Sequence, residues 1–395
     1  MTPSFAGVTS SPKWEKSVYE NLSIKFSLRE TVKKILDGVG ELKRIQNCGS
    51  NRGSVPALAL PKKGNPYFMS ENCGSSSCPY CASKLAAERL KTLEDGIKSF
   101  QAGFPFGCLV MLVLTFSHCV TDSLSDIGKR FHDAKMLFFG QRGVKETFKS
   151  LGILGRVTAP ETTWSSLNGF HPHEHILFFF ESATGEAVKR AGEQLAVYWV
   201  NACKAFGLET DPKRFYFEKA ISSHLQEYVT KCAREVTLSD CKRANVVGLV
   251  SHYSPFQLVS AYEYTEYANK VYADKFREYA LYCKGLKSHN WSRGLAELLK
   301  VKQYSEDKEI LSFSETDSAF RVIFRKECFD AMPLLLKARI ISVFEGDTPK
   351  QKLDSFLLYA KDSFIRDAVD KIEINGKSCP GEMFFRLADQ GRGLV

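Results

Sequence analysis

Gly169-Phe170-His171-Pro172-His173-Glu174-His175-Ile176-Leu177-Phe178-Phe179-Phe180 is the stretch on which the reading of this chain turns. Three of the eight histidines fall within five residues, and an aromatic-rich apolar run follows them. Asn168-Gly169 just ahead is a turn signal, and a short apolar run after a turn reads as a β-strand. Alternate residues of a strand share a face, so His171, His173 and His175 point the same way. Two imidazoles two residues apart on a rigid strand make a ready pair of metal ligands, and they leave coordination positions open for water or phosphate oxygens. A histidine-bearing surface strand is the plainer reading. The aromatic run argues instead for a buried strand, in which three unpartnered imidazoles would be costly, and this favours a metal site.

Upstream, Gly155 to Thr163 reads as a strand interrupted by Pro160. Trp164 to Gly169 turns the chain back into the histidine strand as a hairpin. Glu161 sits across this hairpin, but spacing alone leaves the pairing register open, so Glu161 and His171 are rivals for a third ligand. A carboxylate with two imidazoles suits Mg²⁺ or Mn²⁺ better than three imidazoles would. Phe106 to Phe116 is a continuous aliphatic run bounded by Pro105 and Ser117, as in a central strand. Glu186 to Phe206 has an amphipathic helical pattern, and Arg214 to Glu218 reads as another strand. From Ile221 an apolar stripe of Ile221, Leu225, Val229, Cys232 and Val236 marks a helix. Tyr228 falls on the margin of that stripe, with His224 and Lys231 on its polar flank.

Cys48, Cys73, Cys78 and Cys81 form a second constellation. Cys78-x2-Cys81 has zinc-knuckle spacing, and Cys73 and Cys48 complete a four-thiolate set. Such a set closes a tetrahedral Zn²⁺ with no open position, so the site would be structural. The segment from Gly49 to Gly64 reads as a loop, which a metal clip closes at modest entropic cost. A helix follows from Ser83.

The motifs resemble those of the rolling-circle replication initiators of small plasmids and phages, a branch of the HUH endonucleases. His-Pro-His-x-His-x-Leu is similar to the family's metal motif, which implies His173 and His175 as the ligand pair, with Glu161 near the place of a family glutamate. Glu174 occupies a middle slot that usually holds a bulky hydrophobic residue, and the strand period turns it to the other face. Leu114-Thr115-Phe116-Ser117 is similar to the end of the family's first motif, implying Thr115 as a conformational anchor. Tyr228-Val229-Thr230-Lys231 resembles the Tyr-x-x-Lys motif in which tyrosine attacks DNA. His224 stands where some relatives carry a glutamate that serves termination, and Glu227 lies further round the helix. Trp291-Ser292-Arg293-Gly294-Leu295 resembles a Trp-Ser-x-Gly-Leu signature of the same initiators, which also commonly carry a cysteine cluster ahead of the nuclease.

The resemblance implies an α+β fold: an antiparallel-sheet HUH endonuclease core with helices, an N-terminal zinc-binding segment and a helical C-terminal region. The expected divisions are 1–44, a cysteine-rich segment 45–100, a nuclease domain 101–250, a helical extension 251–300, and a region 301–395 without a readable motif. The implied substrate is single-stranded or extruded origin DNA, with host helicase and polymerase as partners.

Bulk properties agree with this. The chain has 395 residues, 44% hydrophobic and 25% charged, with a formal charge of +9 that mildly favours an anionic partner. Twelve cysteines, four clustered early, suit metal binding in a reducing compartment better than a disulfide framework. Met1 to Lys13 has no apolar signal core, and Phe104 to Phe116 is too short for a membrane span, so a cytoplasmic location with no membrane partner is expected. Competing readings are a single-tyrosine HUH transposase, a conjugative relaxase, and a zinc-dependent DNA-binding regulator without catalysis.

Overall fold

A computed structural model describes residues 18–50, 56–61, 67–69, 72–220, 252–286, 289–302, 318–344, 348–360, 363–374 and 377–390. The fold is α+β, with two five-stranded antiparallel sheets. The chain divides into two compact units, one of Met1–Ser27, Gly53–Met69 and Ser318–Val395, the other of Leu28–Arg52 and Ser70–Asp317. The chain order begins α1 (Val18–Ile35), α2 (Lys43–Gln46), β1 (Ala57–Pro61), β2 (Tyr67–Met69) and α3 (Pro79–Gly103). It continues with β3 (Cys108–Leu114), α4 (Leu124–Gly140), α5 (Arg142–Ser150), β4 (Ile153–Ser165), β5 (Gly169–Phe180), α6 (Gly185–Ala205) and β6 (Tyr216–Lys219). After β7 (Asn290–Trp291) come β8 (Ser318–Phe324), β9 (Val369–Ile374) and β10 (Lys377–Pro380).

In the first unit the strand order is β10-β9-β8-β1-β2. Two expectations are corrected here. The stretch from Gly49 to Gly64 is not all loop, because Ala57–Pro61 is a strand whose Leu58 faces Val322 across a very long sequence separation. The region from 301 onward is not simply helical, because β8, β9 and β10 form most of this sheet. β9 and β10 pair antiparallel, with Ile372 opposite Cys379 and Ile374 opposite Lys377. Apolar residues such as Leu58, Leu60, Val322 and Ile372 are fully buried.

The second unit holds the histidine strand, β5, at the centre of the order β6-β3-β5-β4-β7. β3, with the sequence CLVMLVL, is buried along nearly its whole length, as a strand covered on both faces must be. On one face of β5, Phe178 stacks on Phe148 at 4.6 Å and meets Phe217 edge-on at 6.2 Å. Trp199 of α6 packs between Phe131 and Phe138 of α4, with ring centroids 5.9 and 5.7 Å away. On the other face Leu177 and Phe179 pack with Leu93, Ile97 and Phe100 of α3. Each large apolar side chain buried here contributes about 1.5–3 kcal/mol.

The hairpin expected from Trp164 to Gly169 is present, and Gly169 takes a left-handed φ of +78° that a side chain would resist. Pro160 does not interrupt its strand, as the sequence had suggested, but pairs opposite Glu174. β7 pairs with β4 only at Val157 and Thr158, so Pro160 lies on an open edge where its missing N–H leaves no ladder bond unmade. Trp291-Ser292-Arg293-Gly294-Leu295 has a packing role: the Ser292 N–H donates to the Arg156 carbonyl at 2.9 Å, the Arg156 N–H donates to Ser292 Oγ at 2.9 Å, and Leu295 is fully buried beside Val157 and Leu177. Among the described residues no helix is long and apolar enough to cross a membrane.

Candidate metal centres

The apolar cover on the α3 face of the sheet ends at Leu177. His175, His173 and His171 continue that face as polar residues, only partly buried. The β4–β5 register puts Glu161 directly opposite His173, Ala159 opposite His175 and Thr163 opposite His171. Glu161 therefore shares the histidine face. Its Oε2 lies 2.8 Å from His173 Nε2 and 2.9 Å from His175 Nε2. These three donor atoms all lie within 4.8 Å of one another. The side chains of His173 and His175 are each 13% exposed and that of Glu161 is 23% exposed, so the cluster meets solvent while resting on a rigid sheet.

His173 Nδ1 lies 3.3 Å from the His171 carbonyl. A proton on that nitrogen fixes the tautomer and leaves Nε2 to act as a ligand. His171, the rival third ligand, is engaged elsewhere. Its Nε2 lies 3.1 Å from Thr115 Oγ1 and its Nδ1 lies 3.0 Å from His118 Nδ1. Burial, with His173 and His118 alongside, pushes the His171 imidazole down to about 3, so it stays neutral. Thr115 is itself anchored, its carbonyl accepting from Trp199 Nε1 at 3.0 Å and from Thr210 Oγ1 at 3.1 Å. His118 and Trp199 are supporting residues that the sequence did not single out. Only the closeness of His118 to the Thr115 strand end hinted at the first.

Glu174 points to the opposite face, as the strand period requires. It is 4% exposed and its Oε1 accepts from Lys135 Nζ of α4 at 2.8 Å. Its other carboxylate oxygen is buried without a partner among the described residues. Tyr228, Lys231 and His224 lie outside the described residues.

The four cysteines converge. Cys48, Cys73, Cys78 and Cys81 are buried, and their sulfurs lie within 4.8 Å of one another. The Cys48–Cys81, Cys73–Cys81 and Cys78–Cys48 separations are each 3.6 Å. A tetrahedral zinc with bonds of about 2.3 Å separates its sulfurs by about 3.8 Å, so the four thiols fit one ion with little movement. The donor set is all sulfur and complete, as a structural site requires. Hydrogen bonds from Cys73, Cys78 and Cys81 hold Cys48 well below the ordinary thiol range, and the Arg29 charge acts in the same direction. As their counterpart, bonding to Cys48 holds Cys73 and Cys78 well above it.

Family models, curated proteins and solved structures were compared with this chain, and none matches.

Proposed function

We propose that this chain is a rolling-circle replication initiator of the HUH endonuclease type, which nicks single-stranded origin DNA through a tyrosine and later rejoins strands. The observation that carries the reading is the Glu161 carboxylate seated between His173 Nε2 and His175 Nε2 of the central antiparallel strand β5. The order of the histidine, tyrosine and Trp-Ser-x-Gly-Leu motifs along the chain supports it.

In this reading Glu161, His173 and His175 hold Mg²⁺ or Mn²⁺, which suits a mixed oxygen and nitrogen donor set. When bound, the ion neutralises charge developing on the scissile phosphate and fixes its orientation. The Tyr228 phenol attacks phosphorus and gives up its proton to solvent, a tyrosine hydroxyl having a reference pKa near 10, and His224 serves as a general base in the later termination step. The P–O3′ bond breaks, the departing 3′-oxygen takes a proton from solvent and leaves as a hydroxyl, and a 5′-phosphotyrosyl link remains. Lys231 adds positive charge beside the phosphate. The covalent link conserves the bond energy, so a later 3′-hydroxyl can displace the tyrosine without ATP. The released 3′-hydroxyl primes a host polymerase, with a host helicase opening the duplex in the cytoplasm.

The experiment is adduct formation on a library of random single-stranded oligonucleotides with Mg²⁺ or Mn²⁺, read as a shift in denaturing gels. The expected result is an adduct in the native chain that disappears in Tyr228→Phe. An undiminished adduct in that variant moves the nucleophile elsewhere, Tyr216 being the next candidate. The buried four-cysteine set favours one other reading, a zinc-dependent DNA-binding regulator without catalysis. DNA binding with no adduct under any metal would select it.

A further inference from the structure

We infer that Arg29 is the fixed counter-charge of the four-cysteine centre: its guanidinium, lodged against Gly49 beside Cys48, offsets the surplus negative charge of four thiolates on one divalent ion and so sets how tightly that ion is held. This rests on the reading that Cys48, Cys73, Cys78 and Cys81 bind zinc.

Four thiolates around a divalent ion leave two negative charges. The cysteines are buried, so water does not screen that charge. A buried surplus charge calls for a nearby cation. Arg29, on α1, is only 7% exposed, and an arginine so buried needs an anionic partner. One partner is Glu30, whose Oε1 accepts from Arg29 Nε at 3.1 Å. That pair is partly solvated: the Glu30 side chain is 35% exposed, and the same oxygen also accepts from Lys33 Nζ at 3.2 Å.

The far end of the guanidinium points elsewhere. A Cβ on Gly49 would collide with Arg29 Nη1 and would stand 2.6 Å from Cζ and 3.0 Å from Nη2. The guanidinium thus occupies the space where a side chain at position 49 would stand, next in sequence to the Cys48 ligand. Gly49 also has a φ of +77°, which favours glycine there whatever the space. The Arg29 Cζ lies 5.5 Å from the centre of the Tyr80 ring, between Pro79 and the Cys81 ligand in sequence. Arg44 plays a different part. Its Nη2 donates to the Cys73 carbonyl at 2.6 Å and fixes the backbone of that ligand.

The test uses the full chain purified with zinc, and compares Arg29→Met, which keeps length and loses charge, with Arg29→Lys, which keeps charge. Zinc affinity is read by competition with a chromophoric chelator, and thiol exposure by the rate of alkylation. The expected result is a loss of affinity of about 10–100-fold in Arg29→Met and recovery to within about threefold in Arg29→Lys, the range typical of groups that tune a metal through its ligands. Equal affinity in native chain and Arg29→Met overturns the inference while leaving the zinc reading intact. A native chain that retains no zinc overturns the zinc reading itself, and this inference with it. If Arg29→Met does not fold, Arg29→Lys decides: zinc retained near the native level supports the counter-charge, and zinc lost as fully as in Cys78→Ser assigns Arg29 to packing and overturns it.

Discussion

Glu161 and His173 face each other across the β4–β5 hairpin, with the carboxylate oxygen 2.8 Å from the imidazole Nε2. The pair is a product of register: a slip of one residue would turn Glu161 to the opposite face and leave the two histidines without an acidic partner. The Glu161→Gln exchange keeps shape and removes charge. We expect it to weaken Mn²⁺ binding by about a hundredfold, at least as much as loss of an outer partner costs, with little change in melting temperature. Calorimetric titration of Mn²⁺ checks this.

His171 should behave differently from the two histidines that follow it. Its ring nitrogens face Thr115 and His118 rather than the Glu161 carboxylate. The variant His171→Asn is expected to reduce Mn²⁺ affinity clearly less than His173→Asn or His175→Asn in the same titration. A reversed ranking would make His171 a ligand.

Lys135 and the buried Glu174 form a part-buried ion pair on the far face of the sheet, with side chains 22% and 5% exposed. Removing one partner strands the other charge, so Lys135→Met should lower stability by about 3–5 kcal/mol. The double variant Lys135→Met with Glu174→Leu should recover most of that loss, since an apolar pair of similar size avoids the desolvation cost. Urea unfolding of the native chain, both single variants and the double variant measures the coupling.

Zinc retention should depend on pH with a definite sign. In the metal-free site the Cys73 and Cys78 thiols hold their protons above the ordinary thiol range because they donate to Cys48. The zinc-bound site carries thiolates, so binding releases protons and acidification favours the metal-free form. Zinc affinity should therefore fall steadily as pH is lowered from about 8 to about 5, with zinc loss followed by chelator absorbance. The structural consequence is a drop in melting temperature on chelation that is reversed by added zinc.

Much of this was legible in the chain itself. The period of two in the histidine stretch placed three imidazoles on one face of β5, and the same period sent Glu174 to the other. The cysteine spacing marked the four thiols that converge. A short run such as CLVMLVL, bounded by Pro105 and Ser117, reads as a strand with both faces covered. These are local signals, carried by residues a few positions apart.

What the sequence left open was decided by contacts between distant segments. Glu161, rather than His171, meets His173 and His175 because hairpin register carries its carboxylate to them, while Thr115 and His118 contact the His171 ring. Pro160 stayed within its strand because the adjacent edge is open there. β1 found its partner in β8, whose residues lie far along the chain, and no local pattern announces such a pairing. Arg29 gained its place because Gly49 leaves room for a guanidinium beside Cys48. Periodicity fixes which way a side chain points; register and long-range packing fix what it meets.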